Sequence, residues 1–163
     1  MSELHLRRRH RLRRKEVESL ASELKESLGC DTFNPLDAVE TGEAGGNDLV
    51  MFGSKPMAIF IGGKPFLTVH GLLKFPATKS YVTVDMGAIK FLANGADVMA
   101  PGVVDADPNI AVGASVWVRD QKNQRPILIG TALMSGPEMV SSREGKAVKT
   151  VHFVGDKIWN LAD

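Results

Sequence analysis

Val84-Asp85-Met86-Gly87-Ala88-Ile89-Lys90-Phe91-Leu92-Ala93-Asn94-Gly95-Ala96-Asp97-Val98-Met99-Ala100-Pro101-Gly102-Val103 is the most informative stretch of this 163-residue chain. Asp85 is placed to cap a short helix carrying Ile89 and Leu92 on one face. Asn94-Gly95 closes that helix with a left-handed residue at Gly95. Val98-Met99 then reads as a short strand that stops at the Pro101-Gly102 corner. Glycines at 95 and 102 leave the main chain bare, so a nucleotide could approach closely. On the residues alone, close packing explains those glycines equally well.

On either side of this stretch, short strands dominate. Residues 81–84 read as a strand, and 112–119 pairs with 126–134 across the polar turn 120–125. Pro137 opens a brief helix over 137–142. Residues 150–154 and 157–161 flank Gly155-Asp156, a two-residue hairpin signal. Many short strands with two small helices predict a compact, partly closed β-barrel, not a parallel α/β sheet. Upstream, the apolar runs 49–52, 57–61 and 65–69 are separated by Gly-Ser-Lys-Pro and Gly-Gly-Lys, which reads as strands joined by turns. Before them, Val17, Leu20, Leu24 and Leu28 recur at steps of three and four, an amphipathic helix that Gly29 ends. A short helix over 35–39, capped by Asn34, is also expected. The break at 73–78 divides the chain into a small α+β domain over 16–78 and a second domain over 79–163, preceded by a basic arm at 1–15.

Composition limits the function classes. The hydrophobic fraction of 44% with 24% charged residues is that of a folded globular chain. The longest apolar run, 126–134, falls far short of the roughly 18 residues that span a bilayer. A lone cysteine, Cys30, excludes an intrachain disulfide and any zinc site built on several thiolates. The net charge of +1 hides an asymmetry: residues 1–15 carry seven cationic side chains against Glu3, and the other 148 residues sum to −5. Arg7, Arg8, Arg9, Arg11, Arg13, Arg14 and Lys15 fall within nine positions, which points to a polyanionic partner such as nucleic-acid phosphates. A solvated extension that aids solubility is the bland alternative, and an anionic membrane is disfavoured for want of an apolar anchor. The basic run leads into Glu16, Glu18, Glu23 and Glu26, unlike a secretory signal, so a cytoplasmic address is expected.

No catalytic constellation emerges. Gly62-Gly63-Lys64 is followed by Pro65, and Ala58 stands where a phosphate loop needs glycine. Asp105 and Asp107 lie two apart before Pro108, a spacing that turn chemistry explains. His5, His10, His70 and His152 show no metal-ligand spacing. For His70 a hydrogen-bonded, half-buried imidazole is expected. No cofactor is implied.

The D-x-G-A-I-K-F-x-x-x-G-A-D-V-M-x-P-G-V string of residues 85–103 closely resembles the opening of PUA domains, the RNA-binding module named for pseudouridine synthases and archaeosine transglycosylases. Ile127-Leu128-Ile129-Gly130-Thr131-Ala132 and Gly145-Lys146-Ala147-Val148 are similar to the module's later strands. With residues 62–76 and the ending 151–159, the chain resembles the small archaeal proteins that pair a pre-PUA domain with a PUA domain. The eukaryotic malignant T-cell amplified protein and the N-terminal half of ligatin resemble it in the same way.

This resemblance implies an α+β fold, a pre-PUA domain followed by a PUA pseudo-β-barrel, and a groove between the first helix and neighbouring strands. Lys90, Asn94, Gly95, Ala96, Asp97, Met99, Ala100, Pro101, Gly102 and Val103 would then face RNA, with Lys146 and Lys149 as phosphate partners. Phe91 is expected to be buried, so stacking should contribute little. The implied role is non-enzymatic: binding tRNA or small-subunit ribosomal RNA in translation, with the small ribosomal subunit and a translation factor as partners. The alternatives are an enzyme or accessory subunit of RNA modification, and an adaptor that docks a protein on the strands at 49–69. If the arm neutralises about six phosphates, affinity should fall roughly a thousandfold from 50 to 200 mM salt.

Overall fold

A computed structural model describes residues 3–161. The first two residues of the expected arm and the last two of the expected second domain lie outside the described residues. The chain divides into two compact units. One holds the residues up to Ala77 together with those from Lys157 onward, and the other is Thr78–Asp156.

In the first unit, β1 (Arg7–Arg11), β2 (Glu40–Ala44), β3 (Asn47–Phe52), β4 (Lys55–Ile61) and β5 (Lys64–Leu67) form one antiparallel sheet in sequence order. Both central residues of the turn between β4 and β5, Gly62 and Gly63, have positive φ (59° and 81°). That is the tight two-residue hairpin whose twist matches its flanking strands, and it explains the paired glycines. The leucine stripe forms α1 (Arg14–Leu28) with Val17, Leu20, Leu24 and Leu28 buried, and Gly29 ends it in the left-handed region. A second helix, α2 (Val69–Lys74), starts at Thr68, whose hydroxyl accepts the Gly71 amide.

The basic run is ordered: Arg7–Arg11 pair with β2, and Arg14 and Lys15 lie in the first turn of α1. Two sequence expectations give way here. The expected helix at 35–39 is a turn, in which the Asp37 carboxylate takes the Asn34 amide at 2.8 Å and Leu36 stays 81% exposed. Five residues with one buried apolar position make too little contact to hold a helix. Nor does a hairpin form around Gly155-Asp156. The Asp156 carboxylate accepts the Phe153 amide at 3.0 Å and sits 3.0 Å from His152 Nδ1, which ends the strand in a side-chain-closed turn. The following segment buries Ile158 and Leu161 instead of pairing back.

The second unit runs β6 (Tyr81–Val84), a 3₁₀ turn (Met86–Ala88), α3 (Ile89–Leu92), β7 (Val98–Met99), a second 3₁₀ turn (Ala100–Gly102), β8 (Val103–Ala106), β9 (Ser115–Asp120), β10 (Pro126–Ala132), α4 (Gly136–Ser141) and β11 (Lys146–Phe153). The sheet order is β7-β11-β10-β9-β6-β8, and every neighbouring pair is antiparallel except β6 with β9. Its core gathers Val82, Val84, Leu92, Val98, Val116, Val118, Leu128, Met139 and Val148, so apolar residues from nearly every strand meet inside. This is an α+β fold. Among the described residues no helix is long and apolar enough to cross a membrane.

Candidate RNA-binding site

The quoted stretch runs from the end of β6 through α3 to β7 at one edge of the second unit's sheet and on to β8 at the other. Asp85 fixes its start, its carboxylate accepting the Ala88 amide at 3.0 Å while its own amide donates to the Gly102 carbonyl at 2.9 Å. The first bond caps the 3₁₀ turn and the second ties the beginning of the stretch to its end. At the far end of α3, the Asn94 side-chain amide donates to the Lys90 carbonyl at 3.1 Å, and Gly95 follows with φ +85°. A Cβ on Gly95 would stand 2.7 Å from the Phe153 ring, so backbone conformation and packing both require glycine.

Beyond the turn, the Ala96 carbonyl accepts the Thr150 hydroxyl at 2.8 Å. Asp97 accepts the Thr150 amide at 2.9 Å and the Lys146 ammonium at 3.1 Å. The Thr150 amide, followed by Lys146, holds the Asp97 carboxyl below its ordinary range. β7 pairs with β11, Met99 opposite Lys146 and Val98 opposite Val148.

These elements enclose an open cleft of about 420 Å³ lined by Ala88, Phe91, Leu92, Met99, Gly102 and Lys146, among others. Its walls are largely apolar and its mouth carries charge. Phe91 is 59% exposed and Met99 47% exposed. Lys90 sets its ammonium 5.1 Å from the Phe91 ring centroid. A Cβ on Gly102 would meet the Ala88 methyl at an ordinary 3.5 Å, so Gly102 keeps the cleft floor low without being forced by its own backbone.

The expected site residues divide accordingly. Ala96, Asp97, Met99, Gly102 and Lys146 line the cleft. Lys90, Asn94 and Pro101 are exposed beside it, and Gly95 shapes the turn. Lys149 is exposed but outside the lining. Ala100 and Val103, only 1% and 6% exposed, are buried in the core and are not part of the cleft lining. Phe91 departs from the expected burial. In a helix of four residues Leu92 and Ile89 take the inward positions, which leaves the aromatic ring outside.

The basic run is largely paired. Arg7 and Arg8 reach Glu43 at 3.6 and 3.4 Å, Arg9 reaches Glu40 at 2.6 Å, and Arg14 reaches Glu18 at 3.5 Å. Arg11, Arg13 and Lys15 form no salt bridge among the described residues. Among those residues no cluster of three or more His, Cys, Asp or Glu side chains could hold a metal. His70 is half-buried, its Nε2 2.9 Å from the Trp159 carbonyl oxygen and its ring stacked on the Trp159 indole.

The PUA domain model matches residues 80–154. An uncharacterised protein of Methanocaldococcus jannaschii is 42% identical over 160 residues, spanning 97% of this chain and 99% of that protein. The chain belongs to the PUA-domain family. A conserved PUA domain protein from Thermoplasma acidophilum, 28% identical, superimposes with a TM-score of 0.81 over 95% of this chain and 99% of its own. Its likeness makes the second unit's curled sheet the nearly closed pseudo-barrel of a PUA domain. Translation machinery-associated protein 20 of Schizosaccharomyces pombe is 38% identical over 90 residues, 53% of this chain and 50% of that protein. This PUA protein thus spans about half the length of its translation-associated relatives.

Proposed function

We propose that this PUA protein is a non-enzymatic RNA-binding protein of translation that seats an unpaired RNA end or loop in the cleft beside α3. One observation carries the reading: a largely apolar cleft lined by exposed Phe91 and Met99 and by Gly102, with Lys146 in its lining and the Lys90 ammonium over the Phe91 ring. Water-exposed aromatic and thioether surface beside cations suits a nucleobase with its phosphate, and unstacked bases are available only in single strands and ends. The names of the translation-associated relatives support the setting, with tRNA or small-subunit ribosomal RNA as the RNA and the small ribosomal subunit as the wider partner. The cations Arg11, Arg13 and Lys15, which form no salt bridge among the described residues, add sequence-independent backbone affinity.

The test is Gly102→Trp, whose indole fills the cleft while the neighbouring backbone tolerates a side chain there. Fluorescence anisotropy with a short single-stranded RNA and with a blunt duplex compares the two modes. The substitution is expected to weaken single-strand binding at least about tenfold, the scale of one lost base stack, and to leave duplex binding within twofold. An equal loss on both RNAs would remove the cleft from the interface.

A further inference from the structure

Among the described residues Asp97 is the one carboxylate that lines the cleft, an unfavourable group to keep where a phosphate is to bind. Its two oxygens are not equivalent. Oδ1 accepts the Thr150 amide, a backbone bond that fixes the carboxylate to β11, and the neighbouring Ala96 carbonyl is fixed to the same residue through its hydroxyl. Oδ2 accepts the Lys146 ammonium, whose side chain is 60% exposed while that of Asp97 is 26% exposed. The carboxylate is therefore anchored. The ammonium sits on a flexible four-carbon stem and is the movable partner.

We propose that Asp97 is a latch that holds Lys146 in the free protein and yields it only to an anion that arrives with an apolar ring to bury. The inference rests on the RNA-binding reading above and deepens it. A bare anion must overcome the Asp97 charge with nothing in return, because an exposed ion pair is replaced by another of similar strength. A nucleotide also covers Phe91 and Met99, and that burial supplies the difference. The latch thus selects nucleotides over free phosphate and carboxylate ligands. Asp97 acts through Lys146 as a positioning residue, and its own oxygens do not contact RNA.

The experiment measures single-stranded RNA affinity between 50 and 200 mM salt for the wild type, Asp97→Asn, Lys146→Met and the double variant. Asparagine retains an oxygen for the Thr150 amide and releases the ammonium. Asp97→Asn is expected to bind RNA about three- to tenfold more tightly, the effect of removing one charge some 6 Å from a phosphate at the surface. Its logarithmic salt slope should steepen by up to about 0.7, because no freed carboxylate takes a cation back from solution when Lys146 turns to the phosphate, and this steepening should vanish in the Lys146→Met background. Unchanged or weaker binding by Asp97→Asn, with an unchanged melting temperature, overturns the latch.

A second measurement covers a variant that folds poorly. In wild-type protein with ¹³C-methylated lysines, the Lys146 signal should move on adding RNA and stay in place on adding inorganic pyrophosphate at equal concentration. Movement with both overturns the latch and leaves the RNA reading intact. A wild type that binds no RNA at low salt overturns the RNA reading itself, and the latch with it.

Discussion

At Gly95 two demands meet in one residue. The Asn94-Gly95 pair already predicts a left-handed close to the helix, and the φ of +85° bears this out. The Phe153 ring lying where a Cβ would stand comes from a residue 58 positions later, and no local pattern announces it. Gly95→Ala is expected to lower unfolding free energy by about 1–2 kcal/mol from the left-handed backbone alone. Urea denaturation measures this, and an unchanged midpoint would mean that the turn relaxes to negative φ. Phe91 gives the opposite lesson. Aromatic character suggested burial, but burial depends on which face of a four-residue helix meets the core. Leu92, 2% exposed, already fills that position.

Among the elements, most strands, α1, α3 and α4 were legible because their apolar period or capping residue is local, whereas β1, β2 and β8 carry no such pattern. Ser135 accepting the Glu138 amide and Asp85 accepting the Ala88 amide mark helix starts that short-range chemistry selects. The contact between α2 and β4 is of another kind. A Cβ on Gly71 would stand 2.1 Å from the Met57 carbonyl oxygen, so the helix lies directly on the strand's backbone. Gly71→Ala should destabilise the first unit by about 1–3 kcal/mol through overpacking, seen as a lower melting temperature. A neutral result would show that α2 can lift from β4 without loss. The basic run was legible as charge but not as a strand, because four arginines and a histidine show no alternation of polarity. Their carboxylate partners on β2 lie about thirty residues away.

For the whole molecule, that pairing changes the electrostatics of binding. Counting about six cations of residues 7–15 as available to phosphates predicts about a thousandfold loss of affinity between 50 and 200 mM salt. Arg7, Arg8, Arg9 and Arg14 already face carboxylates, and a phosphate must displace these to gain them. With Arg11, Arg13 and Lys15 left, about three phosphates are neutralised, and the loss shrinks to about 20- to 40-fold. Anisotropy titrations on a fixed RNA distinguish the two figures. A thousandfold loss would show that RNA strips the glutamates from β1.

The sequence by itself determined the positions of most strands and the glycines of the turns, which rest on interactions within a few residues, where spacing and side-chain type are sufficient. The α+β class came with the resemblance of residues 85–103 to PUA domains. Only the tertiary structure decided that Phe91 faces water, that Ala100 and Val103 face the core, and that Asp97 is tied to Lys146 and Thr150. It alone decided that the arginines of β1 are held by β2. These outcomes follow from which distant segments meet, and the free energy of such a meeting depends on shape and charge on both sides.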